Sequence, residues 1–393
     1  MILLTTPIFS HAAEGKSLEI YIEKLAEHPQ VLQILEGSQQ NKHLADAAMG
    51  LPDPVLVLGV DNVPVDEIAF DKVLPSSKVF GFKQQIPSYA LRKALSGQRL
   101  QLSKKQNLVA DFARDRLKAL LLSTLIKLDK VKQQHAFAES QLSHYQELED
   151  YFKGRLESGS GVYWRFSEVD VERSFVEQRL NNLEAERDDI EAELVRLVGE
   201  VPAIAIPEVG LEEWQDVKDI YPVRIASEDI NISQHGVEAA EAAFNPNYGV
   251  QALYKNRETG QNFAGDDWFS VQATISIPLW YKFNQEPKKR AALSKKRSAK
   301  QAYADTQRQW VKKLRSLESK REAALKNVEV LIRKVQAFQE MVASAKRTYE
   351  SGETSLDTFL DAKINSLSIQ SQLAEQRFKH MSFSAEINSY IGE

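Results

Sequence analysis

The residues in this chain whose spacing could do chemistry carry charge rather than nucleophilicity. Asp357 and Asp361 are four residues apart, which sets both carboxylates on one face of a helix. Arranged around an axis in several copies, one such carboxylate per chain makes an acidic ring that repels anions and holds cations, as in pores. The same pair is equally explained as first-turn carboxylates favoured by the helix dipole, and the sequence leaves both open. The seven histidines, His11, His28, His43, His135, His144, His235 and His380, contain no pair with i,i+4 ligand spacing, so no metal site is expected. Cysteine is absent, which excludes disulfides, thiolate metal sites and thiol nucleophiles. No nucleophile elbow, phosphate loop or Rossmann glycine pattern occurs, and no carboxylate pair stands out as acid and base. The expectation is a protein without catalytic residues or cofactors, not an enzyme.

The second concentration of charge is basic. Pro287 to Arg321 holds thirteen Lys and Arg, and Lys93, Arg99, Lys104 and Lys105 sit at a matching place earlier in the chain. The net charge of −5 and the sparse interleaving of aromatics argue against nucleic acid as a partner. Two explanations remain, a basic belt near lipid head groups or a tunnel wall and a solvated helix face.

These residues are held by a duplicated framework. Glu157-Ser158-Gly159 recurs as Glu350-Ser351-Gly352, and Phe166 recurs as Phe359, both at an offset of 193. Val198-Gly199-Glu200 recurs as Ile391-Gly392-Glu393, and His28-Pro29 as Tyr221-Pro222, at the same 193. Ile86-Pro87 recurs as Ile277-Pro278 at 191, a two-residue loop difference. The chain thus divides into repeat 1 (14–200), a Pro-rich linker (201–219) and repeat 2 (220–393). At the start, Ser10-His11-Ala12 resembles a cleavage site after an apolar stretch, so 1–13 is expected to be a signal-peptide remnant, although the basic n-region is missing.

Each repeat reads as helix, strand, loop, strand, very long helix, tight turn, helix. The spacing predicts a first helix over 17–49 with a break near Pro29, strands over 55–60 and 79–86, a long helix over 89–157 and a return helix over 167–197. The second copy predicts 222–243, 248–255, 269–277, 287–350 and 356–390. With Gly 17 and Pro 13 in 393 residues, long unbroken elements are possible. The long helices are free of interior Pro and rich in strong helix formers. At about 1.5 Å per residue they reach on the order of 100 Å and must pack along neighbours as coiled coils do. No apolar run approaches a membrane-spanning helix, the longest candidate being Ala119 to Leu125.

The strands argue against a soluble coiled-coil scaffold. Phe269 to Ile277 alternates apolar and small polar residues over about the length of a membrane-crossing strand. Phe80, Phe82 and Ile86 share a face opposite Gly81, Lys83 and Gln85, whereas Val55–Val60 is apolar throughout and ambiguous. Aromatics gather at the strand ends, and Trp268, Phe269, Trp280 and Tyr281 are the expected membrane girdle. A soluble sandwich is the alternative, disfavoured because alternation and terminal aromatics coincide. Four strands cannot close a barrel and an open edge is not tolerated in lipid, so several chains must share one. Three copies give twelve strands.

This arrangement resembles the TolC family of outer-membrane factors over nearly the whole chain. The duplication carries the resemblance, together with the hairpin-tip patterns Phe152-x6-Gly159 with Phe166-Ser-Glu168 and Tyr349-x2-Gly352 with Leu356-Asp-Thr-Phe-Leu-Asp361, and the Ile-Pro within Gln84–Pro87 and Ser276–Leu279. Leu51 to Pro64 followed by Gln84-Gln-Ile-Pro87 resembles the heavy-metal, CusC/CzcC-like branch. The resemblance implies a mainly α fold with a small β part, a homotrimer with its barrel in the bacterial outer membrane and an α-helical tunnel through the periplasm. It implies partners, a periplasmic adaptor and an inner-membrane RND-type pump, alongside outer-membrane lipid. It implies that the tips meet the adaptor, with Ser158, Gly159, Val162, Ser351, Gly352, Thr354 and Leu356 to watch. It also places Asp361 at the periplasmic aperture, with Asp357 one residue off the family's other Asp and Glu168 as the repeat 1 equivalent of Asp361. The function implied is a passive efflux duct for heavy-metal ions or small toxic compounds. The competing functions are a periplasmic adaptor, which would have a single hairpin, and a coiled-coil scaffold without channel activity.

Overall fold

A computed structural model describes residues 17–392 except 67, 207 and 215. The expected signal remnant, 1–13, lies outside the described residues. The elements are α1 (Leu18–Ala26), α2 (Pro29–Met49), β1 (Val55–Asp61), β2 (Ser77–Ile86), α3 (Tyr89–Glu157) and α4 (Tyr163–Val198), then a 3-10 turn (Val217–Asp219), α5 (Tyr221–Ala242), β3 (Asn247–Asn256), β4 (Trp268–Ser276), α6 (Gln285–Glu350) and α7 (Leu356–Asn388). The first helix breaks where Pro29 opens α2, because Pro fits the first helical turn, whose N–H has no intrahelical partner. The return helix of repeat 1 starts at Tyr163 rather than at 167. The tight turn ends at Val162, so aromatic residues expected in a loop form the first turn of α4.

The described residues form two compact units that cut across the repeats, one of 17–32, 110–221 and 309–392, the other of 33–109 and 222–308. The second unit contains the sheet, an antiparallel meander in the order β1-β2-β3-β4. β2 and β3 pair along their lengths from Lys78↔Asn256 to Ile86↔Tyr248, so the two repeats share one sheet. Residues directly opposite in an antiparallel ladder share a face. The rows Leu56–Phe82–Ala252–Val271 and Leu58–Phe80–Tyr254–Phe269 therefore lie on one apolar face. The row Lys83–Gln251–Gln272 lies on the other. The ambiguity of β1 is resolved by this register, since Leu56, Leu58 and Val60 extend the apolar face and all three are exposed.

Both ends of each hairpin join helices at the same end of the sheet, because α2 leads into β1, β2 into α3, α5 into β3 and β4 into α6. There the helix packing is largely polar. Ser38 and Ser103 share a buried hydroxyl–hydroxyl hydrogen bond of 2.8 Å, and Asn41 donates to Gln106 at 2.9 Å. Lys105 binds Asp229 at 2.7 Å and Lys104 binds Glu228 at 3.3 Å. Lys289 binds Glu241 at 3.0 Å, and Lys296 donates to Gln234 at 2.5 Å. Part of the expected basic belt thus fastens α3 and α6 to α5, while Lys288, Arg290, Lys295 and Lys300 form no ion pair among the described residues.

In the first unit the packing is coiled-coil-like. The buried residues Val169, Val176, Leu183, Ile190 and Leu197 of α4 follow a strict seven-residue repeat. Helices α3 and α7 run antiparallel in a fixed register. Lys130 meets Glu375 at 3.5 Å, Gln134 Nε2 donates to the Ser371 carbonyl at 3.2 Å, and Gln141 Nε2 donates to the Ile364 carbonyl at 3.0 Å. Phe112 stacks on Tyr221 with centroids 5.6 Å apart, and Trp310 meets Tyr390 edge-on at 4.6 Å. Tyr221 N–H donates to the Tyr390 carbonyl at 3.0 Å, so the start of α5 is held against the end of α7.

Gly159 and Gly352 adopt φ of +84° and +77°, and a Cβ at either would meet nothing within 4 Å. The cost of substitution is then the backbone term alone. Gly159→Ala and Gly352→Ala should each lower the local opening free energy of their tip by about 1–2 kcal/mol. Hydrogen exchange at the flanking helix ends checks this, and an unchanged rate would refute it.

Candidate functional site

The two hairpin tips are built the same way from equivalent residues. In repeat 1, Ser160 N–H donates to the Arg155 carbonyl and Gly159 N–H to the Leu156 carbonyl, both at 3.0 Å. In repeat 2, Glu353 N–H donates to the Thr348 carbonyl at 2.9 Å and Gly352 N–H to the Tyr349 carbonyl at 3.0 Å. This paired bonding is a Schellman close, which needs a left-handed residue at the glycine position. The Ser158 and Ser351 hydroxyls each donate to a last-turn carbonyl, at 2.8 and 3.1 Å.

The seven tip residues named from the sequence divide by direction. Ser158, Gly159, Ser351 and Gly352 are exposed. Val162 and Leu356 are partly buried against a cluster of Leu148, Phe152, Val169, Phe359, Leu360 and Ile364. Thr354 turns to the Thr348 hydroxyl at 3.2 Å. The cluster joins both hairpins, and Phe166 and Phe359, equivalent across the repeat, both pack in it.

Above this cluster the carboxylates meet a cation. Arg165 forms ion pairs with Asp361 and, at 2.6 Å, with Glu168. One guanidinium therefore ties the acidic residue of each repeat to its counterpart. Arg165 escaped the sequence analysis, although its i,i+3 spacing to Glu168 was available. Asp361 is neither bare nor fully solvated. Burial pushes its carboxyl above the usual range, Arg165 opposes this, and Asp357 and Glu168 add to it. Burial also works against the Arg165 charge, but Glu168 and Asp361 outweigh it and hold the guanidinium more firmly protonated. Tyr145 faces the same group, its phenol pushed up to about 12 by burial, then by Glu172 and Asp361. Asp357 reaches the cluster as a charge, yet its buried Oδ1 has no hydrogen-bond partner. With three carboxylates and one guanidinium, the site keeps an excess of negative charge.

The four aromatics named for a girdle fall into two places. Trp280 and Tyr281 follow β4 and are exposed, and Tyr281 also meets Phe244 with centroids 6.1 Å apart. Phe269 opposes Tyr254 on the apolar face. Trp268 opposes Lys255 on the other face, where the Arg257 guanidinium lies 4.5 Å from its ring centroid. The alternation of the strand separates Trp268 from its neighbour. Exposed Tyr163 and Trp164, just beyond the first tip, were missed by the sequence analysis.

No group of three or more metal-ligating side chains occurs among the described residues, and no helix among them is long and apolar enough to cross a membrane. Long antiparallel helical hairpins joined to a small sheet with an exposed apolar face define a fold shared with solved outer-membrane channels. A membrane protein from Pseudomonas aeruginosa superposes with a TM-score of 0.79 at 16% identity, covering 95% of this chain and 93% of that one. The outer membrane protein VceC from Vibrio cholerae gives 0.73 at 16% identity, with 95% and 96% covered. CusC, described with its transmembrane channel formation, gives 0.76 at 12% identity, with 95% and 91% covered. No curated protein matches the chain in sequence. The outer membrane efflux protein family model matches residues 223–393.

The raised Asp361 carboxyl carries a sign for pH. The folded tip holds this proton more tightly than the unfolded chain does. Its contribution to stability is therefore present at acid pH and is lost as pH rises from the ordinary Asp range through the raised value. Protection factors at the tip amides, corrected for intrinsic exchange, should fall over that window in the native protein and stay level in Asp361→Asn. Protection that rises with pH would mean that the Arg165 pair outweighs burial.

Proposed function

We propose that this chain is one protomer of a homotrimeric exit duct in the bacterial outer membrane, serving an efflux system driven by a periplasmic adaptor and an inner-membrane pump. The observation that carries the proposal is the apolar face whose rows Leu56–Phe82–Ala252–Val271 and Leu58–Phe80–Tyr254–Phe269 cross all four strands while β1 and β4 stay unpaired at the edges. In water such a face and two open edges invite aggregation. In hydrocarbon the face is satisfied, and the edges are satisfied once β4 of one copy pairs with β1 of the next. The opposite face, with Lys83, Gln251 and Gln272, suits a water-filled lumen. The family match and the fold likeness support the same reading.

Within it, the Asp361–Arg165–Glu168 cluster with Asp357 is the aperture gate, the exposed tip residues are the adaptor-docking surface, and Phe269, Trp280 and Tyr281 contact the membrane interface. The cargo we propose is heavy-metal ions. The Leu51–Pro64 segment with Gln84–Pro87 supports this, as does the excess of negative charge at the aperture, which favours cations. A passive duct needs no ligand set to hold what it passes.

Two measurements test the reading. Val271→Arg, on the apolar face, should cost about 2–4 kcal/mol of membrane stability, whereas Gln272→Arg, one residue on, should cost far less. Equal effects in a folding titration into lipid vesicles would remove the barrel assignment. Asp357→Ala with Asp361→Ala should raise single-channel conductance in planar bilayers, and unchanged conductance would remove the gate. A deletion strain sensitive to Cu, Ag, Zn, Co or Cd supports the metal cargo, and one sensitive to organic toxicants alone overturns it.

A further inference from the structure

Arg257, one residue past β3, carries a guanidinium that the fold buries without a partner. The residue is 7% exposed. Its side chain makes no hydrogen bond and no ion pair among the described residues, and its Nε is sealed from solvent. The guanidinium lies over the Trp268 ring, 4.5 Å from the centroid. Directly across the ladder, one step beyond the Lys78↔Asn256 pair, stands Ser77. Ser77 is 0% exposed, and its Oγ has no partner either. Residues directly opposite share a face, with Cβ atoms about 5 Å apart. Two unpartnered buried donors therefore sit side by side on the face that carries Lys255 and Trp268, away from the apolar rows.

The carboxylates around them are committed elsewhere. Asp61 faces Ser77 from β1, in the same row, and it binds Lys255 at 2.5 Å. Glu258, the next residue along the chain, binds Lys78 at 2.8 Å. Asp267 accepts from the Tyr254 hydroxyl, from Asn256 Nδ2 at 3.0 Å and from the Arg257 backbone N–H at 3.1 Å, but not from the guanidinium. Ser76, as buried as its neighbour, donates to the Asn62 carbonyl at 2.9 Å, so the lack of a partner is particular to Ser77. The loops 62–76 and 257–267 close on each other here, since a Cβ on Gly260 would stand 2.3 Å from the Asp71 carbonyl. An indole face attracts a guanidinium but gives its Nε–H no acceptor. A buried ion without a counter-charge is costly.

We infer that Arg257 and Ser77 form a binding site for a small monovalent anion, a halide such as chloride, held by the Arg257 Nε–H and the Ser77 hydroxyl. Charge decides the sign of the ligand, because the site holds one cation and no free carboxylate. Size decides its class. An oxyanion or a carboxylate would bring several acceptor oxygens into a place with two donors, and each left unpaired there is penalised. A halide has no such directional demand. Bound between them, it joins β2 of repeat 1 to the end of β3 of repeat 2, at the end of the sheet away from the helices. The site lies within the sheet of one chain and does not require the duct.

Trp268 reports on the site directly, because iodide is both a halide and a heavy-atom quencher of indole fluorescence. The full chain is prepared with Trp164→Phe, Trp214→Phe, Trp280→Phe and Trp310→Phe, which leaves Trp268 as its one indole, and is reconstituted in lipid nanodiscs. Potassium iodide then replaces potassium gluconate at fixed ionic strength. Quenching should saturate with iodide, and added chloride should move the half-saturation point upward. Arg257→Gln in this background should leave only a linear response. Ser77→Ala, which removes one buried oxygen, should raise the half-saturating concentration roughly tenfold. Acrylamide, which is uncharged, should quench all three proteins alike and so shows that Trp268 keeps its surroundings. If Arg257→Gln alters acrylamide quenching, Ser77→Ala decides alone. Linear iodide quenching before either substitution, saturation that survives both, or indifference to chloride would each overturn the site, with the guanidinium then solvated by water only.

Discussion

A backbone amide or carbonyl without a partner in hydrocarbon costs several kcal/mol, and this chain ends its sheet on two strands with open edges. That constraint fixes how much of the rest must be arranged. The four-strand meander has its apolar rows aligned across both repeats, so duplication built a surface that neither half has alone. In the proposed duct its face meets lipid and its edges meet other strands. The helices joined to it are under no such demand, and their packing uses buried hydroxyl and amide pairs such as Ser38–Ser103 and Asn41–Gln106.

The same duplication governs the tips. A Schellman close at both ends needs a glycine at one place per repeat, and Gly159 and Gly352 occupy it. The chain reverses identically twice, which brings Phe166 and Phe359 into one apolar cluster. Exposed serine and glycine then remain at each turn, while Val162, Thr354 and Leu356 serve the interior of the tip.

Much of this was legible in the sequence because its signals are local. Pro-free runs of strong helix formers gave both long helices nearly to the residue, and the alternation of Phe269 to Ile277 gave β4. What was not legible depends on pairing at a distance. An all-apolar β1 has no period to show which side faces which, and only its register with β2 decides. Trp268 joins Phe269 as an aromatic pair in sequence but parts from it by one step of the pleat. Arg165 is unremarkable along the chain because its partner Asp361 lies 196 residues away. Part of the basic belt proved to be helix fastening for the same reason, since the acidic partners of Lys104, Lys105 and Lys289 lie on α5.

The acidic site shows where the repeats parted. Glu168 and Asp361 are equivalent across the offset of 193, so both halves kept a carboxylate there. Arg165 is not duplicated, since its counterpart is Thr358. Two acids with one cation between them behave differently from two bare acids. The guanidinium relieves their mutual repulsion and, because both bonds are made within one chain, it couples the two hairpins of a protomer to each other. Charge balanced within a protomer leaves the remaining negative charge, that of Asp357 included, for whatever lies beyond it. Movement at the tips is then cheapest as a displacement of paired hairpins together, since separating them exposes Leu148, Phe152 and Leu360 and strands the part-buried Asp361 carboxylate.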